Sequence, residues 1–216
     1  MSIKIFFDMD GVLVDFAAGA VIALNNALVS ADMRSKNIRR LVNYEGPDKE
    51  EITIEFLEGT TAKKDAKLPR TQWEKRVVNA MFTLVGAGGH PYWSSLPSIP
   101  GYLQMIEAAD SLVGLDNVYV CTAPVTDPTG GCESGKRAWI NSKTLIPAEN
   151  VFVTTDKGSI VSRFPDSANI LIDDRLKYCQ AWEAAGGIAI RHTPPATLER
   201  VHRTISQLEL IVNSHQ

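Results

Sequence analysis

Acidic residues directly follow two of the apolar, strand-like runs of this sequence. Asp8 and Asp10 come after the first run, and Asp173 and Asp174 come after a later one. Carboxylates that crowd together in a partly desolvated cleft repel one another, so the arrangement needs a compensating cation. Oxygen ligands alone favour Mg²⁺, which binds one or two carboxylates together with a substrate phosphate. The four residues therefore predict a Mg²⁺ site.

The spacing of Asp8 and Asp10 suits nucleophilic attack on a phosphate ester. With a cation neutralising the local charge, Asp8 can attack phosphorus and form an aspartyl-phosphate that water later cleaves. Asp10 can protonate the leaving oxygen and then deprotonate the water, and Gly11 permits a sharp turn after it. The alternative is that both aspartates lie in a surface turn or cap a helix.

Further polar groups follow the other apolar runs. Thr122 offers a hydroxyl and Ala123 a backbone amide to phosphoryl oxygens, and Lys157 offers the positive charge that a phosphoryl-transfer transition state needs. The alternatives are that Thr122 caps a turn and that Lys157 is an ordinary surface lysine. Together with the aspartates, these residues predict a small phosphorylated substrate.

The elements that must position these residues alternate between strands and helices. Nearly continuous apolar character predicts strands buried on both faces, and intervening helical patterns predict a parallel sheet, so the fold class is α/β with a Rossmann-like core. Ligands bind at the carboxyl ends of parallel strands, where the polar residues lie. The predicted strands are Ile3 to Phe7, Val118 to Cys121, Val151 to Val153, Ile170 to Ile172 and Ile188 to Ile190.

The first two predicted strands lie too far apart for a single crossover helix. We therefore predict a core of residues 1–15 and 97–216 and an inserted helical cap of residues 16–96, with a glycine-rich loop at 86–89. The mixed charges of the cap favour a solvated face, and a substrate-facing role for some of its lysines and arginines is the alternative.

Composition limits the class of partner. A formal net charge of -3 gives no broad cationic field for polymeric nucleic acid or an anionic membrane, and no run reaches transmembrane length. The three cysteines lack CxxC spacing, and no cleavable leader is evident, so we expect a reducing, cytoplasmic location. The oligomeric state stays open, and a homodimer is one option.

Four segments resemble, in order, the motifs of the haloacid dehalogenase superfamily of phosphohydrolases. The first is Asp8-Met9-Asp10-Gly11-Val12-Leu13, and the second is Val120 to Pro124; Lys157 resembles the third, and Ile172-Asp173-Asp174 resembles the fourth. This resemblance covers roughly Ile3 to Asp15 and Ile99 to His192, and it implies Mg²⁺-dependent hydrolysis of phosphomonoesters.

A narrower resemblance is to the 5'(3')-deoxyribonucleotidases, because Asp15-Phe16 and the helix around Lys136 are similar to segments of that family. It implies that Lys136 and Lys157 hold phosphate and that Phe16 lies near a nucleoside. It also implies that Asp8, the carbonyl of Asp10 and one of the paired aspartates, with Asp174 favoured over Asp173, bind Mg²⁺.

The sequence departs from that narrower pattern at two positions near the expected substrate. Ala123 stands where those enzymes carry serine, and Thr155 stands where they carry arginine. A nucleoside monophosphate is therefore one predicted substrate, and a sugar phosphate or another small phosphorylated metabolite is the alternative. A phosphate-binding regulatory module without turnover is the third hypothesis, although Asp8 and Asp10 are both present.

Overall fold

The computed structural model describes residues 2–30, 35–127, 130–195 and 197–215, and a five-stranded parallel sheet forms their centre. The strand order is β3-β2-β1-β4-β5, so β1 lies in the middle. This architecture confirms the predicted α/β class. The strands are β1 Ser2–Phe7, β2 Val118–Thr122, β3 Val151–Val153, β4 Ser167–Asp173 and β5 Ile188–Arg191.

The central strand is buried on both faces. Phe7 lies opposite Val120 of β2 and Ile172 of β4, so the carboxyl ends of these three strands are level. Alternate side chains of β1 enter different clusters: Phe7 joins the larger core, and Phe6 packs edge-on against Trp182 with ring centroids 4.9 Å apart. Burial on both faces explains why the strand reads as a continuous apolar run.

Ten helices surround or extend from the sheet in the described part of the chain. Five of them lie between β1 and α6, where the sequence predicts a helical insertion. The division into two domains at residues 16 and 96 stays a prediction. The helices are α1 Phe16–Val29, α2 Lys36–Val42, α3 Ile54–Asp65, α4 Gln72–Ala87, α5 Gly89–Ser94, α6 Tyr102–Val113, α7 Gly131–Lys143, α8 Gly158–Val161, α9 Leu176–Ala184 and α10 Leu198–Asn213.

Side-chain caps fix where several inserted helices begin. The hydroxyl of Thr53 accepts from the amide of Phe56 at the start of α3. At the start of α4, Thr71 and Glu74 form a reciprocal capping box, and Glu74 also binds Lys63 of α3 at 2.6 Å. The caps satisfy amides that have no partner within the helix.

The predicted glycine-rich loop at 86–89 is wrong. Gly86 lies inside the last turn of α4, and Gly88 keeps a helical backbone with φ -68° and ψ -21°, so α4 and α5 are almost continuous. A Cβ on Gly86 would lie 3.0 Å from the carbonyl oxygen of Thr126, which explains a glycine there as a close approach of backbones. Only Gly89 of this segment has positive φ.

Helices α5 and α7 pack closely because α7 presents glycines to α5. A Cβ on Gly131 would lie 2.4 Å from the amide nitrogen of His90, and a Cβ on Gly135 would lie 2.6 Å from Cβ of Trp93. This contact brings Trp93 beside Lys136, which lies on the same helix as the two glycines. Among the described residues, no helix combines the length and the apolar character needed to cross a membrane.

Candidate active site

The first strand delivers two carboxylates to the edge of the sheet. The amide of Asp8 donates to the carbonyl of Ile172 at 2.8 Å, which extends the pairing of β1 with β4 by one residue. The chain then turns, with Gly11 at φ +77°, where a residue with a Cβ would be strained. Because of this turn, Asp8 and Asp10 both line the same cavity.

Lys157 joins the ends of three strands. Its ammonium lies 3.0 Å from Oδ1 of Asp8 and 2.5 Å from Oδ2 of Asp173, and the lysine is 1% exposed. Burial alone would lower the pKa of Lys157, but the carboxylates of Asp8 and Asp173 outweigh it and raise that pKa. Lys157 is therefore held as a cation beside Asp8. The other oxygen of Asp173 accepts from the amide of Arg175 at 2.8 Å.

Asp174 contributes a carboxylate whose charge is poorly compensated. One oxygen from each of Asp8, Asp173 and Asp174 lies within 4.8 Å of the others. Neither carboxylate oxygen of Asp174 accepts a hydrogen bond from the described residues, whereas both oxygens of Asp173 do. Burial and then the charges of Asp8 and Asp173 raise the pKa of Asp174 well above its ordinary value. An oxygen-only set with excess negative charge fits a hard divalent cation such as Mg²⁺.

Asp10 is held by a second buried lysine. Lys136 on α7 donates to Oδ2 of Asp10 at 2.6 Å, to the hydroxyl of Thr122 at 3.0 Å and to the carbonyl of Ala123 at 2.8 Å. Burial raises the pKa of Asp10, the charge of Lys136 opposes that rise, and Asp8 adds to it. The other oxygen of Asp10, Oδ1, is buried without a hydrogen-bond partner in the described chain.

These groups meet beside a cavity of about 740 Å³. The predicted site residues separate into two layers. Five of them line the cavity: Asp8, Asp10, Phe16, Ala123 and Asp174. The others lie behind that lining with 0–1% exposure: Thr122, Lys136, Lys157 and Asp173. The structure thus brings all the predicted residues to one site, and their chemical roles stay predictions.

The inserted helices supply a wall of the cavity that sequence reasoning missed. Asn79 and Phe82 of α4 both line the cavity, and Phe82 is 49% exposed. Nearby, the amide of Asn37 donates to the hydroxyl of Thr83 at 2.9 Å. Spacing of three and four residues along α4 could have placed Asn79, Phe82 and Thr83 on one face, but it could not show what that face meets.

Basic residues at the cavity edge were also missed. Arg175 and Lys177, just after the paired aspartates, line it, as does Arg191 at the end of β5. Arg191 binds Asp65 of α3 at 2.9 Å and so connects the sheet to the inserted helices. Isolated basic residues carry no motif, which explains the omission.

The cysteines do not contribute a nucleophile to this site. All three are buried and free. Burial raises the pKa of Cys121 to about 12, so this thiol stays protonated at neutral pH. The sequence-based interpretation of Cys121 as a small buried apolar residue agrees with this environment.

The sequence matches no protein-family model and no curated protein. Its structure is similar to that of YfnB from Bacillus subtilis, a candidate HAD hydrolase bound to magnesium, with 16% identity, a TM-score of 0.53 and coverage of 98% of this chain and 99% of that one. It is also similar to a candidate phosphatase from Clostridium difficile, with 15% identity, a TM-score of 0.50 and the same coverage. Both similarities extend over nearly the whole chain, inserted helices included, so the fold is that of the haloacid dehalogenase-like proteins.

Proposed function

We propose that the protein is a Mg²⁺-dependent phosphomonoesterase in which Asp8 is the nucleophile. The observation that carries the proposal is the position of Asp8: it lines the cavity, lies 3.0 Å from the ammonium of Lys157, and shares a carboxylate cluster with Asp174. A carboxylate that attacks a phosphate carries a negative charge and approaches another one, so it needs positive charge nearby. The ammonium of Lys157 supplies such a charge beside Asp8.

The proposed reaction has two halves. In the first, an oxygen of Asp8 forms a bond to phosphorus while the bond from phosphorus to the leaving oxygen breaks, and Asp10 gives that oxygen a proton. In the second, Asp10 takes a proton from water, whose oxygen attacks the aspartyl-phosphate, restoring the Asp8 carboxylate and releasing inorganic phosphate. Both halves need the Asp10 carboxyl within reach of the reacting oxygen, and Asp10 lines the same cavity as Asp8.

In this proposal Mg²⁺ is held by Asp8, the backbone carbonyl of Asp10 and Asp174. Asp174 is favoured over Asp173, because Lys157 and the amide of Arg175 already occupy both oxygens of Asp173. The ion would neutralise negative charge on the carboxylates and the phosphate. Around the phosphate, the amide of Ala123, which lines the cavity, is the proposed donor, whereas the Thr122 hydroxyl lies behind the lining and accepts from Lys136.

We propose a nucleoside monophosphate, ribo- or deoxyribo-, as the substrate. The cavity is much larger than a phosphate needs, and two aromatic side chains, Phe16 and Phe82, line it at different places. Phe16 stacks on the buried Trp93 with ring centroids 6.0 Å apart, which fixes its ring. An aromatic face held in this way suits stacking against a base.

A sugar phosphate is the second candidate. Glu58 of α3 lines the cavity, and its pKa is raised by burial and then by the nearby charge of Asp15. A carboxylate is a good acceptor for sugar hydroxyls when it is ionised. The three separate buried thiols are compatible with a reducing compartment, so a cytoplasmic location stays part of the proposal.

Phosphate release from a panel of 5'- and 3'-nucleoside monophosphates, their deoxy forms and sugar phosphates tests the substrate. A nucleotide preference of about a hundredfold in kcat/KM, or roughly 2.7 kcal/mol, supports the nucleotide. A comparable preference for a sugar phosphate would refute the nucleotide proposal and support the sugar phosphate instead.

The covalent mechanism is tested by Asp8→Asn with Asp110→Asn, an exposed aspartate of α6, as the matched control. We expect Asp8→Asn to lower kcat by about four to six orders of magnitude and Asp110→Asn to leave it unchanged. A chelator should abolish turnover, and Mg²⁺ should restore it. Substantial activity in pure Asp8→Asn protein would refute the mechanism, and full activity in chelator would refute the role of the metal.

A further inference from the structure

Every hydrogen-bond donor of Lys136 is already committed inside the protein. A lysine ammonium has three N–H groups. The three acceptors of Lys136 are Asp10, Thr122 and the carbonyl of Ala123, at 2.6, 3.0 and 2.8 Å. Lys136 is 0% exposed and does not line the cavity. A phosphate in the cavity would have to break one of these bonds to contact Lys136.

The space around the ammonium is also closed by an aromatic ring. Nζ of Lys136 lies 4.9 Å from the centroid of Trp93, and Trp93 is itself fully buried. Gly135, the residue before Lys136, lets α5 approach α7 closely enough to bring this ring there. The ammonium thus has acceptors on some sides and the ring on another, which fixes its position.

Lys157 also lies near an aromatic ring, with Nζ 4.7 Å from the centroid of Tyr178, but its hydrogen bonding differs from that of Lys136. Its ammonium donates a hydrogen bond to Asp173 and forms an ion pair with Asp8 at 3.0 Å, so at least one N–H has no hydrogen-bond acceptor among the described residues. The two buried lysines are therefore not equivalent, although the sequence resemblance assigns phosphate binding to both.

Lys136 contacts only one of the two carboxylate oxygens of Asp10. It binds Oδ2, whereas Oδ1 has no partner in the described chain. The bond to Oδ2 fixes the direction of the carboxylate, while Oδ1 stays buried and unpaired. From this geometry we infer that Lys136 is a positioning residue that orients the Asp10 carboxylate for proton transfer and does not contact the phosphate.

This inference rests on the proposed function, and its test separates proton transfer from phosphate binding. General acid-base catalysis contributes about 10²–10⁴-fold to rate, so we expect Lys136→Met to lower kcat about a hundredfold or more. Binding of inorganic phosphate with Mg²⁺, measured by calorimetry, should be unchanged. In an Asp10→Asn background, Lys136→Met should have little further effect on kcat, since the group that it positions is already gone.

Two variants accompany the test. Lys143→Met, at an exposed position of the same helix, should leave kcat and phosphate affinity unchanged. Lys136→Gln keeps a shorter donor and replaces Lys136→Met if circular dichroism shows that the methionine variant is unfolded. A crystal structure of the folded variant should show that the Asp10 side chain has moved.

The inference is overturned if folded Lys136→Met binds inorganic phosphate at least tenfold more weakly, or if it slows Asp10→Asn as much as it slows the wild type. It is also overturned if Asp10 keeps its position in the variant crystal, and that result requires no turnover. A wild-type protein that hydrolyses no phosphomonoester refutes the proposed function instead, so the two failures are distinguishable.

Discussion

The close packing of α5 on α7 makes Gly135 a sharp test of the structure. An added Cβ would lie 2.6 Å from Cβ of Trp93 and 2.7 Å from the carbonyl oxygen of His90. Neither atom can move away by a rotamer change, because one is a Cβ and the other belongs to the backbone. Overpacking typically costs about 1–3 kcal/mol, and alanine regains about 0.5–1 kcal/mol over glycine in a helix. We therefore expect Gly135→Ala to lower the free energy of unfolding by about 1–2 kcal/mol.

The matched control is Gly59→Ala in α3. Gly59 is exposed, and an added Cβ there would meet no atom within 4 Å. This variant should gain about 0.5–1 kcal/mol from helix propensity alone. The free energies of unfolding of both variants and the wild type are measured by urea unfolding, with tryptophan fluorescence and circular dichroism as probes. If Gly135→Ala is as stable as the wild type while Gly59→Ala gains stability, the α5–α7 interface is not as close as described.

Two further predictions concern acid stability and the metal site. Burial, and then the charge of Arg200, lowers the pKa of His192 to about 4, so the folded state keeps it neutral. Stability should fall as the pH drops from about 6.5 towards 4, by about 2 kcal/mol between pH 7 and 4.5, and urea unfolding of His192→Gln should lose that part of the pH dependence. If the free energy of unfolding of His192→Gln depends on pH as that of the wild type does, this prediction is wrong. Gly11→Ala would place a Cβ 3.0 Å from Cγ and Oδ2 of Asp174 at a positive φ, so it should cost about 1–3 kcal/mol in stability and raise the Mg²⁺ concentration for half-maximal activity. An unchanged Mg²⁺ dependence would contradict the prediction that the added Cβ displaces a metal ligand.

The sheet was predictable because its strands are buried on both faces. Each predicted apolar run lies within an observed strand, and the ends differ by at most three residues, as at Ser167, where β4 begins before the apolar run. The convergence of Asp8 and Asp173 follows from topology, since neighbouring parallel strands end at the same edge of a sheet. A residue directly after a strand can therefore be placed without knowledge of the loops.

The inserted helices were predictable only as helices. Whether Asn79 or Phe82 faces the cavity depends on how α4 packs against α1 and α2, and that packing is decided by contacts between residues distant in the sequence. Gly88 was misread for a related reason, since a glycine that relieves a close approach looks the same in sequence as one that allows a turn. Lys136 was found by resemblance alone, and its enclosure by three acceptors has no signal in the sequence.

The central position of β1 has a consequence for synthesis on the ribosome. In the described part of the chain, its partner strands begin at Val118 and Ser167, so more than a hundred residues must be translated before either edge of β1 can be paired. At about 5–20 residues per second, β1 stays unpaired for several seconds or longer. During that time, Lys4 is the one charge that interrupts the apolar segment from Ile3 to Phe7. A charge within such a segment discourages association between nascent chains, so replacing Lys4 by an apolar residue should lower the yield of soluble protein even if the folded state tolerates the change.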